Sequence, residues 1–138
     1  MKIAFICTGN TCRSPMAEAL LKAHLSKGGF KDTTVLSRGL KAAVGAPASK
    51  NAVTVMNERG IDISSHRSAP LLEDELSCID LFVCMGYEHA AALDLCGVES
   101  EKLVILNIPD PYGGSLDEYR AVADMINSEL ESIYEYIK

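Results

Sequence analysis

The stretch Lys2-Ile3-Ala4-Phe5-Ile6-Cys7-Thr8-Gly9-Asn10-Thr11-Cys12-Arg13-Ser14-Pro15 decides the fold. Ile3 to Ile6 is a continuous apolar run, too short for a signal-peptide core and without the alternation of a half-exposed strand. It reads as a strand covered on both faces. Cys7 to Arg13 is polar, with a Gly9-Asn10 pair suited to a sharp turn. Ser14 and Pro15 then offer a helix N-cap and first helical residue, and Ala17, Leu20, Leu21 and Leu25 keep one face until Gly28-Gly29 ends the helix. A loop between such a strand and such a helix curls around the helix's positive end, where its amides converge on an anion.

Outward from this unit the same grammar repeats. Apolar runs recur at Thr34 to Ser37, Leu81 to Met85 and Leu103 to Leu106. Between them, helices are predicted over Ser49 to Arg59, with Val53 and Met56 inward and Gly60 at the C-terminus, and between Glu88 and Leu95. Another is expected after Pro70, with Glu73, Asp74 and Glu75 in or near its first turn. The last helix carries the clearest signal: Ser115-Leu116-Asp117-Glu118 matches a capping box. Tyr119, Val122, Ile126, Leu130, Ile133 and Ile137 follow at helical spacing. Strands alternating with helices imply βαβ crossovers and a three-layer α/β sandwich, expected as one domain over residues 1–138. Ligands in such folds bind at the strands' carboxyl ends.

Composition narrows the function. The chain has 138 residues, 48% of them hydrophobic and 23% charged, a globular balance, and no apolar run approaches a membrane span. A net charge of −6 is the wrong sign for nucleic-acid binding, so any phosphate site must be local. Five cysteines without paired C-x-x-C sets point to reduced thiols and a cytoplasmic protein.

Cys7 and Arg13 stand in a C-x5-R spacing, weak alone but informative between a strand and a helix. Arg13 can grip two phosphoryl oxygens in a bidentate fork and stabilise charge during transfer. The helix end, the amides and the guanidinium together favour a thiolate nucleophile at Cys7, to which the Ser14 hydroxyl can hydrogen-bond. Phosphoryl transfer also needs an acid, and Asp110, in Pro109-Asp110-Pro111-Tyr112 after the fourth apolar run, reaches the same sheet edge. Asp-Pro is equally a turn dipeptide, so spacing leaves a structural role open.

Cys7-Thr8-Gly9-Asn10-Thr11-Cys12-Arg13-Ser14 and Asp110-Pro111-Tyr112, with Ser37-Arg38-Gly39, Gly60-Ile61-Asp62-Ile63, Ser65-His66-Arg67 and Asp80 to Met85, resemble the low-molecular-weight protein tyrosine phosphatase family along the whole chain. The resemblance implies a four-stranded parallel sheet in order 2-1-3-4 and attack of Cys7 on phosphorus to form a phosphocysteine. Arg13 and the loop residues Thr8, Gly9, Asn10, Thr11, Cys12 and Ser14 would hold the phosphoryl group beside Tyr112. Asp110 would protonate the leaving group and then activate water, with no metal or organic cofactor. Asn10, Ser14, Ser37 and His66 match positions that brace the loop. Cys12 matches a cysteine able to form a reversible disulfide with the nucleophile. Cys78, Cys84 and Cys96 are expected in the core.

Two departures bear on the substrate, a phosphorylated protein. Many tyrosine-specific members have a branched aliphatic before the second loop cysteine and two consecutive aromatics after Asp-Pro; this chain has Thr11 and Tyr112-Gly113. A missing aromatic wall removes stacking worth about 1 kcal/mol. Thr11 with Asp110-Pro111-Tyr112-Gly113-Gly114-Ser115 instead resembles the bacterial protein-arginine phosphatase branch. Phosphotyrosine and phosphoarginine both stay open. An arsenate reductase would need a cysteine relay that Cys84 and Cys96 do not match, and a phosphocysteine carrier would lack Arg13.

Overall fold

In the computed structural model, which describes residues 1–28 and 32–137, β1 (Lys2–Cys7) is flanked by β2 (Thr34–Gly39) and β3 (Leu81–Cys84). Beyond β3 lies β4 (Leu103–Ile105), giving an all-parallel sheet in the order 2-1-3-4. The alternation along β1 explains why the run is apolar throughout. Ile3, Phe5 and Cys7 enter one core with residues of α1 (Arg13–Gly28), α2 (Lys50–Glu58) and α4 (Leu116–Tyr134). Ala4 and Ile6 enter the other, with Phe82, Cys84 and Leu93 of α3 (Tyr87–Leu95). Both faces are covered, so every side chain from Ile3 to Cys7 is buried.

Strand order reverses at β1, the switch point at which α/β sheets bind ligands, and the Cys7–Arg13 loop leaves the sheet there. In register, Cys7 lies opposite Gly39, the last residue of β2. The backbone after Gly39 then locks onto the loop: Leu40 N–H donates to Cys7 O at 2.9 Å and Lys41 N–H to Thr8 O at 3.0 Å.

Several sequence expectations need correction. Ser14 is not an N-cap: α1 begins at Arg13, and Met16 N–H already donates to Cys12 O at 3.3 Å. Pro15 is accommodated two residues later than expected, as the third residue of α1, because first-turn N–H groups have no intrahelical partner to lose. Gly28 is the last residue of α1, and Gly29 lies outside the described residues. The helix expected after Pro70 is only a 3₁₀ turn, Glu73–Glu75. Asp80 must accept the Lys2 N–H at 2.7 Å and β3 starts at Leu81, so the intervening chain has no room for a longer helix. In α2, Ala52, Val55 and Met56 are buried, whereas Val53 is only partly so. The Ser115 cap is as expected, its hydroxyl accepting Glu118 N–H at 3.2 Å, and the six predicted inward residues from Tyr119 to Ile137 are all buried. Among the described residues, no helix is long and apolar enough to cross a membrane.

Candidate active site

Of the Gly9-Asn10 pair expected to make the turn, Asn10 takes the left-handed backbone angles, with φ of +58°. That conformation aims the Asn10 carboxamide into the protein, where the residue is fully buried. Its Oδ1 accepts Ala69 N–H at 2.9 Å, and its two amide hydrogens go to Ser14 Oγ at 2.8 Å and Ser37 Oγ at 3.0 Å. His66 Nε2 donates to the Asn10 carbonyl at 2.8 Å. Ser14, receiving a hydrogen from Asn10, turns its own toward Cys7 Sγ, 2.8 Å away. Asn10 N–H adds a second donor to that sulfur at 3.2 Å. Two donors aimed at one sulfur suit a thiolate.

The far end of this network was not anticipated. Ser37 donates to Glu18 Oε1 at 2.7 Å, and Lys22 pairs with the other carboxylate oxygen. In the sequence Glu18 is one more acidic residue on an amphipathic helix; only the contact with β2 distinguishes it.

Arg13 is buried, and its Nη1 donates to Ile108 O at 3.1 Å, which ties the acid loop to the head of α1. Asp110 Oδ2 lies 3.7 Å from Arg13 Nη2, while Oδ1 accepts Tyr112 N–H at 3.0 Å. Asp110 therefore has the turn role its spacing left open, and it also faces the arginine. The following turn explains the missing aromatic. Gly114 N–H donates to Pro111 O at 2.7 Å and Gly113 has φ of +79°, a conformation that a second aromatic would adopt only under strain. Tyr112, at the corner, is 76% exposed.

Cys7 to Arg13, Asp110 and Tyr112 enclose a cavity of about 230 Å³, with the largely buried Cys7 among its walls. Every sequence-predicted loop residue but Ser14 thus meets both acid-loop residues around the cavity; Ser14, fully buried, stands behind Cys7 Sγ, and Ser37 and His66 stand behind Asn10. Cys12 Sγ is held by Tyr119 Oη at 3.2 Å and Ser49 Oγ at 3.4 Å. Burial pushes the pKa of Tyr119 up to about 12, with its hydrogen bond to Cys12 acting in the same direction.

Gly39 is the tightest point of the wall behind the loop. A Cβ there would stand 2.5 Å from Thr8 O, 2.8 Å from Ala42 Cβ and 3.1 Å from Asn10 Cβ. Gly39→Ala is therefore expected to cost about 1–3 kcal/mol, read as a lower denaturant midpoint, because backbone rather than a flexible side chain must yield. An unchanged midpoint would mean that the loop is softer than its hydrogen bonds imply.

Of the remaining cysteines, only Cys84 is in the core. Cys78 and Cys96 are exposed, a correction to the expectation, because they fall on the short connection before β3 and just past the end of α3. Burial, with Glu88 nearby, raises the Cys84 thiol pKa to about 12, so it is poorly suited to a relay.

Fold and cavity together define a parallel α/β scaffold whose switch-point loop borders a cavity with a cysteine, an arginine and an aspartate in its wall. The chain belongs to the family described as low molecular weight phosphotyrosine protein phosphatase, whose sequence model matches residues 2–138. It is 34% identical to the protein-arginine-phosphatase of Bacillus subtilis, covering 100% of this chain and 97% of the relative. It is 45% identical to a probable low molecular weight protein-tyrosine-phosphatase, EpsP, of Ralstonia nicotianae, covering 94% and 91% respectively. A solved structure of YwlE arginine phosphatase, a Cys-to-Ser mutant with a phosphorylated active-site serine, superposes with a TM-score of 0.91 at 33% identity, covering 99% of this chain and 95% of that one.

Proposed function

We propose that residues 1–138 form one cysteine-dependent protein phosphatase domain acting through a phosphocysteine on Cys7. The observation that carries this reading is the meeting of Cys7, Arg13 and Asp110 around one cavity. Cys7 Sγ attacks phosphorus; the bond from phosphorus to the leaving oxygen or nitrogen breaks, and the Asp110 carboxyl gives that atom its proton. Water then attacks phosphorus, Asp110 takes its proton, the S–P bond breaks, and phosphate and the Cys7 thiolate are regenerated. Arg13 holds the phosphoryl oxygens through both steps. Five free cysteines accord with a reducing, cytoplasmic location, and Cys7 and Cys12 border one cavity in support of a reversible disulfide.

A second reading concerns the leaving group. Thr11 lines the cavity, and the glycine turn leaves Tyr112 as the acid loop's one aromatic wall, both of which favour phosphoarginine over phosphotyrosine. Hydrolysis of phosphoarginine and phosphotyrosine peptides by wild type and Thr11→Ile tests this directly. The ratio of the two kcat/KM values is expected to move toward phosphotyrosine by about tenfold or more, the scale of one polar contact exchanged for an apolar one. A fixed ratio would remove Thr11 as the selector.

A further inference from the structure

His89 is buried yet has no part in the chemistry proposed above. It is the third residue of α3, and its Nδ1 accepts the Gly86 N–H at 3.0 Å, closing the helix's first turn as a Glu or Gln does in a capping box. Burial lowers its pKa against the pull of the Glu88 carboxylate, with the Arg13 charge adding to the lowering and Asp110 opposing it. A neutral imidazole whose Nδ1 is an acceptor carries its proton on Nε2. That nitrogen lies 2.9 Å from Thr8 Oγ1, whereas Glu88 Oε1, at 3.6 Å, is beyond hydrogen-bond reach.

Proton counting now fixes the threonine. Thr8 must accept from His89, so its own hydrogen needs a different acceptor, and no protein group among the described residues supplies one. Thr8 directly follows Cys7, is exposed, and lines the catalytic cavity. We propose that His89 is a positioning residue that makes the Thr8 hydroxyl a hydrogen-bond donor to a phosphoryl oxygen held over Cys7. The inference rests on the cavity's being a phosphate site, as the proposed function requires, but not on turnover.

The competing possibility is that His89 only caps α3, and two substitutions separate the roles. An asparagine oxygen falls near the position of Nδ1, so His89→Asn keeps the acceptor for Gly86 and loses the donor to Thr8. A glutamine nitrogen falls near Nε2 and its oxygen can take the Gly86 N–H as in a capping box, so His89→Gln restores both contacts.

The experiment is calorimetric titration of the full chain with inorganic phosphate, alongside thermal unfolding. His89→Asn and Thr8→Val are each expected to weaken phosphate binding about tenfold. Their combination should be no weaker than Thr8→Val alone, since both remove one interaction. His89→Asn should unfold near the wild-type temperature despite its weaker binding, and His89→Gln should bind within about twofold of wild type. Wild-type affinity in His89→Asn, additive losses in the double variant, or affinity that follows unfolding temperature across the series would each overturn the proposal. So would a wild type that binds no phosphate. A wild type that binds phosphate but hydrolyses nothing would instead overturn the phosphatase reading alone.

Discussion

Cys7→Ser is expected to lower turnover by on the order of 10⁴-fold or more while leaving phosphate binding largely in place. The reasoning starts from the donors around the sulfur. Asn10 spends both amide hydrogens on Ser14 and Ser37, so the Ser14 hydroxyl and the Asn10 N–H both point at the atom in position 7. Such a site suits an anion, and a thiol gives up its proton far more readily than a serine hydroxyl. Arg13, which in the proposed mechanism binds the phosphoryl group, donates to Ile108 O, a contact the substitution leaves untouched. Rapid-quench kinetics with phosphate release, and mass analysis of the Cys7 peptide for phosphate during turnover, check this. Turnover at wild-type rates in Cys7→Ser, or phosphate accumulating on another residue, would end the phosphocysteine mechanism.

How much of this was legible depended on how local each signal is. The strand, loop and helix from Lys2 to Gly28 are contiguous, so their apolar run, Gly-Asn turn and Ser-Pro helix start could be read together. Asp110 lies after a distant strand, and parallel topology alone brings it to the same edge; spacing could nominate it but could not distinguish turn-former from acid, and it proves to shape the turn while facing Arg13. Glu18 and His89 were invisible for a different reason. Each sits on a helix where its residue type is ordinary, and each matters through a partner distant in sequence: Ser37 on β2 for one, Thr8 in the loop for the other. The left-handed angle passed to Asn10 rather than Gly9 because the side chain has three partners to satisfy, which backbone preference alone does not reveal. The helix misplaced after Pro70 failed on space, since acidic residues signalled a helix start but the chain was already committed to β3.

Asp110→Asn is expected to slow the first step, transfer of the phosphoryl group to Cys7, about 10²–10⁴-fold for leaving groups that need a proton, and far less for those that do not. The substitution is nearly isosteric, and an asparagine oxygen can still accept the Tyr112 N–H that Asp110 Oδ1 accepts at 3.0 Å, so the turn and the exposed position of Tyr112 should persist. What is lost is the transferable proton and the carboxylate facing Arg13 Nη2 at 3.7 Å. Because the Asp110 side chain is half exposed, that ion pair adds little to stability, and unfolding temperature should scarcely move. The leaving group then separates the two roles of the residue. A nitrophenolate departs without protonation, so its phosphate ester should retain much of the wild-type rate in the first step, whereas an unactivated phenyl ester or a phosphoguanidine should show the full loss. In the proposed mechanism Asp110 is also the base of the second step, so the variant should accumulate phosphocysteine with the activated ester and stall before it with the others. A uniform loss in the first step across leaving groups would reduce Asp110 to a turn residue, and the proton would then have to be sought in the cavity elsewhere.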